Sequence, residues 1–328
     1  MHDRKILFGL ISTAALVAVA AGFGHSVRAG AAAAPRRDTV DETIVTLPEQ
    51  EIAGTKRALI LCGLPGDKAH RKPFAETVEK LRQTLLAKYG FAGPDVHVQF
   101  GGPVAEGEGP VLSGVRGQGT REEIEAEAAE LRKELKPEDT LWVIVMGHSY
   151  YDGKHSHFNI PGPDINEQEF GKLFADLAPR EQVFFITIPT SGYYIKPLSA
   201  KGRVVISATE ADLEVNETIY PMALAEVLAS PPAASEFDAD HDGNLTLFDL
   251  YIAVARNVIE RYLKDEFLPT EHALLDDNGD GRGTELQIDY LTEAQGGRAQ
   301  PGKPPRPPRE TADGALSGRI SIVIAPAE

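Results

Sequence analysis

A histidine, a threonine and two serines stand where long apolar runs stop, and such residues at such positions can do acid–base and nucleophilic chemistry. Leu141 to Met146 is continuously apolar and breaks at Gly147-His148-Ser149, while the run from Val183 to Ile188 breaks at Pro189-Thr190-Ser191-Gly192. An imidazole takes a proton from a hydroxyl when an acid orients the ring and donors stabilise the oxyanion. His148 with Thr190 or Ser191 is therefore a candidate hydrolytic pair, and Asp152 and Asp164 are available acids. Ser149 as the nucleophile of a strained elbow would need a glycine at 151 and an immediate helix, and Tyr151 and the loop through Pro163 supply neither. His148, His155 and His157 are close enough in sequence to share a transition metal, although their spacing fits no standard site. The single cysteine, Cys62, ends another apolar run and reads as a core thiol.

The densest ligand pattern lies further along. Oxygen donors Asp238, Asp240, Asp242, Thr246 and Asp249 fall at loop positions 1, 3, 5, 9 and 12, with Gly243 at 6, the Asn244 carbonyl at 7 and Leu245 at 8. That is the spacing of an EF-hand calcium loop, in which the glycine makes the sharp turn and the last carboxylate closes the coordination sphere. Aspartate at position 12 reaches less far than the usual glutamate, which implies modest affinity. A second run, Asp276, Asn278 and Asp280 followed by Gly281, repeats the first half, but its position 12 is the uncharged Gln287. It reads as a weak calcium site or an Asx-rich turn, and is a candidate to pair with the first loop. Calcium is the cofactor these residues predict.

Apolar runs at 58–62, 141–146, 183–188 and 203–207 alternate with amphipathic segments. One helix is expected over 72–89; a second follows the capping pair Thr120 and Glu123; a third, carrying Phe170, Leu173, Phe174 and Leu177, starts at Asn166. Continuous apolar strands between such helices predict an α/β fold whose mainly parallel sheet is covered on both faces. Ligand sites on these sheets lie at the carboxyl ends of the strands, where His148 and Ser191 both fall. Helices are also expected over 216–229 and 247–264, and a final edge strand over 319–324.

The first 31 residues read as a cleaved signal peptide: Arg4 and Lys5, an apolar stretch from Ile6 to Ala21, then small residues around Ala29-Gly30-Ala31. That stretch falls short of the roughly 20 apolar residues a spanning helix needs. Residues 32–55 read as a loose leader and 296–328 as a Pro-rich tail. The expected destination is periplasmic or extracellular, with no membrane attachment after cleavage. A formal net charge of -16 without Lys/Arg clusters argues against nucleic acid and anionic membranes as partners and in favour of cations.

The two strand ends together resemble the caspase and legumain-like cysteine peptidases, in which a histidine turn follows one strand and a cysteine turn follows the next. The resemblance covers residues 56–230, including Gly63-Leu-Pro-Gly-Asp67 and the segment from Arg203 to Thr209 that leads to Glu214-Val-Asn-Glu-Thr218. It implies a three-layer caspase-like sandwich, with residues 231–295 as a small helical EF-hand-like appendage. It also puts His148 at the general-base position, Ser191-Gly192 at the end of the nucleophile turn, and His70-Arg71 near the family's pocket arginine. In that register Pro189 stands where the family has cysteine, and proline has neither a nucleophilic atom nor an NH for an oxyanion. The expectation is a secreted, calcium-binding pseudopeptidase that acts as a binding module for a protein or peptide. A Ser/Thr hydrolase built on His148 is the alternative.

Overall fold

The apolar runs become the middle of a sheet. A computed structural model describes residues 54–102, 110–177, 179–211, 214–300, 308–309, 311–322 and 324; the expected signal peptide, nearly all of the leader and residues 301–307, 310, 323 and 325–328 of the Pro-rich tail lie outside them. The strands of the first half are β1 (Lys56–Cys62), β2 (Val96–Phe100), β3 (Val115–Gly117) and β4 (Thr140–Met146). A short trio follows, β5 (Ser149–Tyr151), β6 (Ser156–Phe158) and β7 (Ile165–Asn166), and then β8 (Glu181–Ile186), β9 (Arg203–Ser207) and β10 (Leu274–Asp276). The main sheet has the order β10-β9-β8-β4-β1-β2-β3 and is parallel except at β10, which runs antiparallel to β9. Cys62 is in register with both Phe100 and Met146, so three strands end flush. The chain leaves β1 toward β2 and returns on its other side at β4, which makes the β1/β4 boundary the topological switch point.

The helices are α1 (Lys68–Lys88), α2 (Arg121–Glu134), α3 (Glu167–Leu173), α4 (Ile195–Leu198), α5 (Tyr220–Ala229), α6 (Ala234–Phe237) and α7 (Leu247–Lys264). Successive strand residues point to opposite faces. Leu59, Val143, Val145 and Phe184 pack with Ile124 and Leu131 of α2 and Phe170 of α3. Ile60, Trp142, Ile144 and Phe185 pack on the opposite face with Leu81 of α1, Leu224 of α5 and Tyr251 of α7. Each fully buried side chain of this size contributes about 1.5–3 kcal/mol relative to exposure, so an apolar layer on both faces is what holds the sheet. Cys62 lies in this core, and burial pushes its thiol far above the ordinary range. Among the described residues no helix is long and apolar enough to cross a membrane.

Local signals held where the cap residue is close in sequence. Thr120 with Glu123 and Asn166 with Glu169 form capping boxes at the starts of α2 and α3. α1 begins earlier than its apolar periodicity indicates, because Asp67 accepts from the Ala69 and His70 amides and nucleates a turn ahead of Pro73. The stretch expected as loop through Pro163 carries β5 and β6, and β7, just before α3, completes an antiparallel trio. Among the described residues of 319–324 no strand forms; Ser321 makes an isolated bridge to Thr246, and β10 is the edge strand on that side of the main sheet. Region 231–295 shares the core and the main sheet, since α7 lies in the core beside α5 and β10 extends the sheet.

Candidate functional site

Close backbone approach defines the carboxyl edge of the sheet. The Gly63 amide donates to the Met146 carbonyl at 2.9 Å and the Gly101 amide to the Cys62 carbonyl at 2.8 Å. Gly147 has φ +128°, and a Cβ there would lie 3.0 Å from the Gly63 nitrogen, so only glycine suits this position. His148 follows it, half-buried, with Nε2 3.1 Å from the Pro65 carbonyl oxygen. A ring nitrogen that faces a carbonyl must carry the proton, so Nε2 is a donor in this arrangement and cannot act as a base.

The hydroxyls expected to face that base are turned elsewhere. Thr190 and Ser191 are completely buried. Thr190 sits at φ 51°, a left-handed conformation unusual for a β-branched residue, held by its amide donating to the Glu214 carbonyl at 3.0 Å. Its Oγ1 shares a 2.6 Å hydrogen bond with Ser156 Oγ of β6. The Ser191 amide donates to Thr209 Oγ1 at 2.8 Å, and the Thr209 amide returns a bond to Ser191 Oγ at 3.0 Å. Ser149 Oγ donates to the Pro189 carbonyl at 2.5 Å, and strand β5 follows it where an elbow would need a helix. Among the described residues no hydrogen bond joins His148 to Thr190 or Ser191. Asp152 accepts from the Lys154 and His155 amides and from His157, and Asp164 accepts from the Ile160 amide; neither is bonded to His148. The imidazoles of His155 and His157 go to Glu167 and Asp152, so the three histidines do not converge on a metal position.

A further constellation borders His148. His70 places Nδ1 2.7 Å from Asp67 and Nε2 2.9 Å from Glu217, and its ring meets His148 edge-on with centroids 5.0 Å apart. The hydrogen bond to Asp67, reinforced by the Glu217 charge, holds the His70 imidazole above its usual pKa. Sequence reasoning had His70 only as the neighbour of Arg71. The available signal was Asp67 three residues before His70 at a helix start; Glu217 is too distant in sequence to be foreseen.

In the first Asp-rich loop, carboxylate oxygens of Asp238, Asp240 and Asp242 all lie within 4.8 Å of one another. Gly243, at φ +87°, makes the turn, and its amide donates to Asp238 Oδ2 at 3.0 Å. Burial and then the neighbouring carboxylates, Asp242 first among them, push the Asp240 pKa up. Asn244 is exposed beside this cluster, and the adjoining His241 is exposed as well. Thr246 and Asp249 form the capping box of α7. Asp249 accepts from the Ala239 amide at 2.8 Å, the Thr246 amide at 2.8 Å and the Thr246 hydroxyl at 2.7 Å. A carboxylate has about four acceptor sites, so Asp249 retains roughly one for a cation. Every donor at this loop is oxygen, the chemistry of a hard cation such as calcium.

The second loop folds in the same pattern. Asp276 Oδ2 accepts from the Gly281 amide at 3.2 Å, Asn278 Oδ1 from the Asp280 amide at 2.9 Å, and Asp280 Oδ1 from the Arg282 amide at 2.9 Å. Asp276 is also the last residue of β10 and is buried. Gln287, at position 12, accepts instead from the Tyr251 hydroxyl on α7. The two loops do not pair: Thr246 bridges to Ser321, and Thr284 bridges to Leu275. Compared with known proteins, the chain matches no family model, and no curated protein matches it at a significant level.

Proposed function

We propose that this chain is an exported calcium-binding protein on a caspase/legumain-like scaffold, a pseudopeptidase that serves as a binding module for a protein or peptide. The observation that carries the reading is the convergence of Asp238, Asp240 and Asp242, three carboxylates within 4.8 Å of one another. Like charges this close are unfavourable without a counter-ion, and burial raises the cost for Asp240. Asp238, Asp240, Asp242, the Asn244 carbonyl and Thr246 would hold calcium, with Asp249 adding at most a single oxygen. That donor set suits an affinity on the order of 10⁻⁴ M, the regime of extracellular calcium modules. Asp276, Asn278 and Asp280 would form a weaker second site.

Support for the non-catalytic half of the reading comes from the strand ends. Pro189 fills the nucleophile position, the Thr190 and Ser191 hydroxyls are buried in protein hydrogen bonds, and His148 donates to Pro65. The purified protein should melt higher in calcium than in chelator, and should not hydrolyse esters or peptides above background. Identical melting with and without chelator would remove the calcium reading. Turnover that disappears in His148→Ala and in Ser191→Ala would replace the pseudopeptidase with a hydrolase.

A further inference from the structure

The segment 311–322 touches both Asp-rich loops and the opposite end of the sheet from His148. At the first loop, the Leu247 amide donates to the Ile320 carbonyl at 2.9 Å, and the Ile322 amide donates to the Leu245 carbonyl at 2.8 Å. Thr246 and Ser321 complete an antiparallel bridge between these bonds. Leu245 to Leu247 directly follow Asn244, whose carbonyl is the position-7 donor. At the second loop, Asp277 accepts from the Gly314 amide at 3.0 Å, the Ser317 amide at 2.7 Å and the Ser317 hydroxyl at 2.7 Å. Asp313 fastens the same end by accepting from the Asp277 amide and the Thr284 hydroxyl.

The two ends of this segment are held unequally. Asp277 and Asp313 are both buried and together receive five hydrogen bonds from the surrounding backbone and hydroxyls. The Ile320–Ile322 end has two backbone bonds to the first loop, one from the Ile320 amide back to Ser317, and its apolar contacts. Ile320, Ser321 and Ile322 line a narrow crevice with Tyr89, Phe91 and Trp142 at the amino end of the sheet. Trp142 is the only tryptophan in the chain and is 5% exposed.

We propose that residues 311–322 are a calcium-coupled strap, whose Ile320–Ile322 end seats over Trp142 when the Asp238 loop holds calcium and loosens when it does not. This rests on the calcium reading above. A cation that gathers Asp238, Asp240, Asp242 and the Asn244 carbonyl fixes the backbone from 244 onward, and that backbone is what Ile320 and Ile322 bond to. Without the cation, carboxylate repulsion loosens the same residues, while Asp277 retains the other end. Between the two anchors, the Gly318 and Arg319 amides bond back to the Gly314 and Leu316 carbonyls in a short turn, Ser317–Arg319, that belongs to the anchored part, so the part that loosens begins at Ile320. Calcium at the loop and closure of the crevice are then one equilibrium, in which each stabilises the other.

The test uses the full-length protein with calcium alone as the probe, titrated against chelator. Melting temperature, acrylamide quenching of Trp142 and amide exchange are read on the same samples. Chelation should lower the melting temperature, raise quenching, and speed exchange at the Leu247 and Ile322 amides roughly tenfold, with a smaller change at Ser317. Asp238→Asn with Asp242→Asn removes both the ligands and most of the repulsion, and should make all three readings independent of calcium. Ile322→Ser should expose Trp142 even with calcium bound. If calcium raises the melting temperature but leaves quenching and exchange unchanged, the strap is wrong and the calcium site stands. If calcium changes none of the three, the site and the strap fall together. Unchanged quenching in a folded Ile322→Ser variant also overturns the strap.

Discussion

The carboxyl edge of the sheet and the Asp238 loop are both rich in chemistry-bearing side chains, and they differ in what those side chains have already bonded to. At the sheet edge each hydroxyl and imidazole has a protein partner: Thr190 has Ser156, Ser191 has Thr209, His148 has Pro65, and His70 has two carboxylates. At the loop, three acids face one another and accept only backbone amides of their own turn; among the described residues no cationic side chain bonds to any of them. A satisfied polar network stabilises a fold and offers little to a ligand. A cluster of like charges destabilises the fold until a ligand arrives. Residue type alone would rank the sheet edge as the more functional region, whereas the bonding pattern reverses that order.

Calcium should produce the largest effect that distinguishes the two regions. At a concentration of 100 times the dissociation constant, one site adds about 2.7 kcal/mol, which is several degrees in melting temperature for a chain of this size. Differential scanning calorimetry with and without chelator should show this rise in wild type and none in Asp238→Ala with Asp242→Ala. At the sheet edge, Ser191→Val should cost about 2 kcal/mol with or without calcium, because it leaves the buried Thr209 amide without its acceptor, while the Ser191 amide still donates to Thr209 Oγ1. A denaturant midpoint equal to wild type would show that the Ser191–Thr209 network is not structural. His148→Ala removes a single bond at a half-buried ring and should cost about 1 kcal/mol or less, with partner binding unchanged. A loss as large as that in Ser191→Val would make His148 the organiser of this edge.

The smallest effect is a pH dependence carried by His70. Its folded pKa lies above the ordinary value because of Asp67 and Glu217, so its stabilising contribution is complete below about pH 6.5, the unfolded value, and is lost as pH rises through the folded pKa. The side chain is 34% exposed, and solvent screening limits the contribution to under about 1 kcal/mol. Chemical denaturation between pH 5.5 and 8.5, a window set around that ordinary histidine value, should give a shallow decline in wild type that is flatter in His70→Ala. An equal slope in both would assign the decline to other groups.

What the sequence revealed depended on distance along the chain. The Thr120 and Asn166 caps, the strand at 203–207 and the helix at 247–264 rest on residues a few positions apart, and the structure reproduces them. The β5–β7 trio was hidden because a segment rich in Gly, Ser, His and Tyr carries no apolar alternation. β10 was hidden because its three residues run into a loop whose aspartates dominate its reading. The Asp-rich spacing found the Asp238 cluster directly. It could not show that Asp249 spends its oxygens on capping α7, or that Gln287 turns to Tyr251, since both depend on how the following helix packs. Likewise, the bonds that occupy Thr190 and Ser191 come from β6 and from the residues after β9.

The two outer strands of the main sheet, β3 and β10, are three residues each. An unpaired strand edge is a template on which another extended chain can add, and longer edges offer more consecutive hydrogen bonds. Here the outward side of β10 is taken up by its own chain, because Leu275 and Thr284 exchange both of their backbone bonds at 2.9 and 3.0 Å. The turn that brings Thr284 back to Leu275 is the second Asp-rich loop. Whether or not that loop ever holds a cation, its fold makes it a stopper, closing the growing end of a parallel sheet against polymerisation with a second molecule.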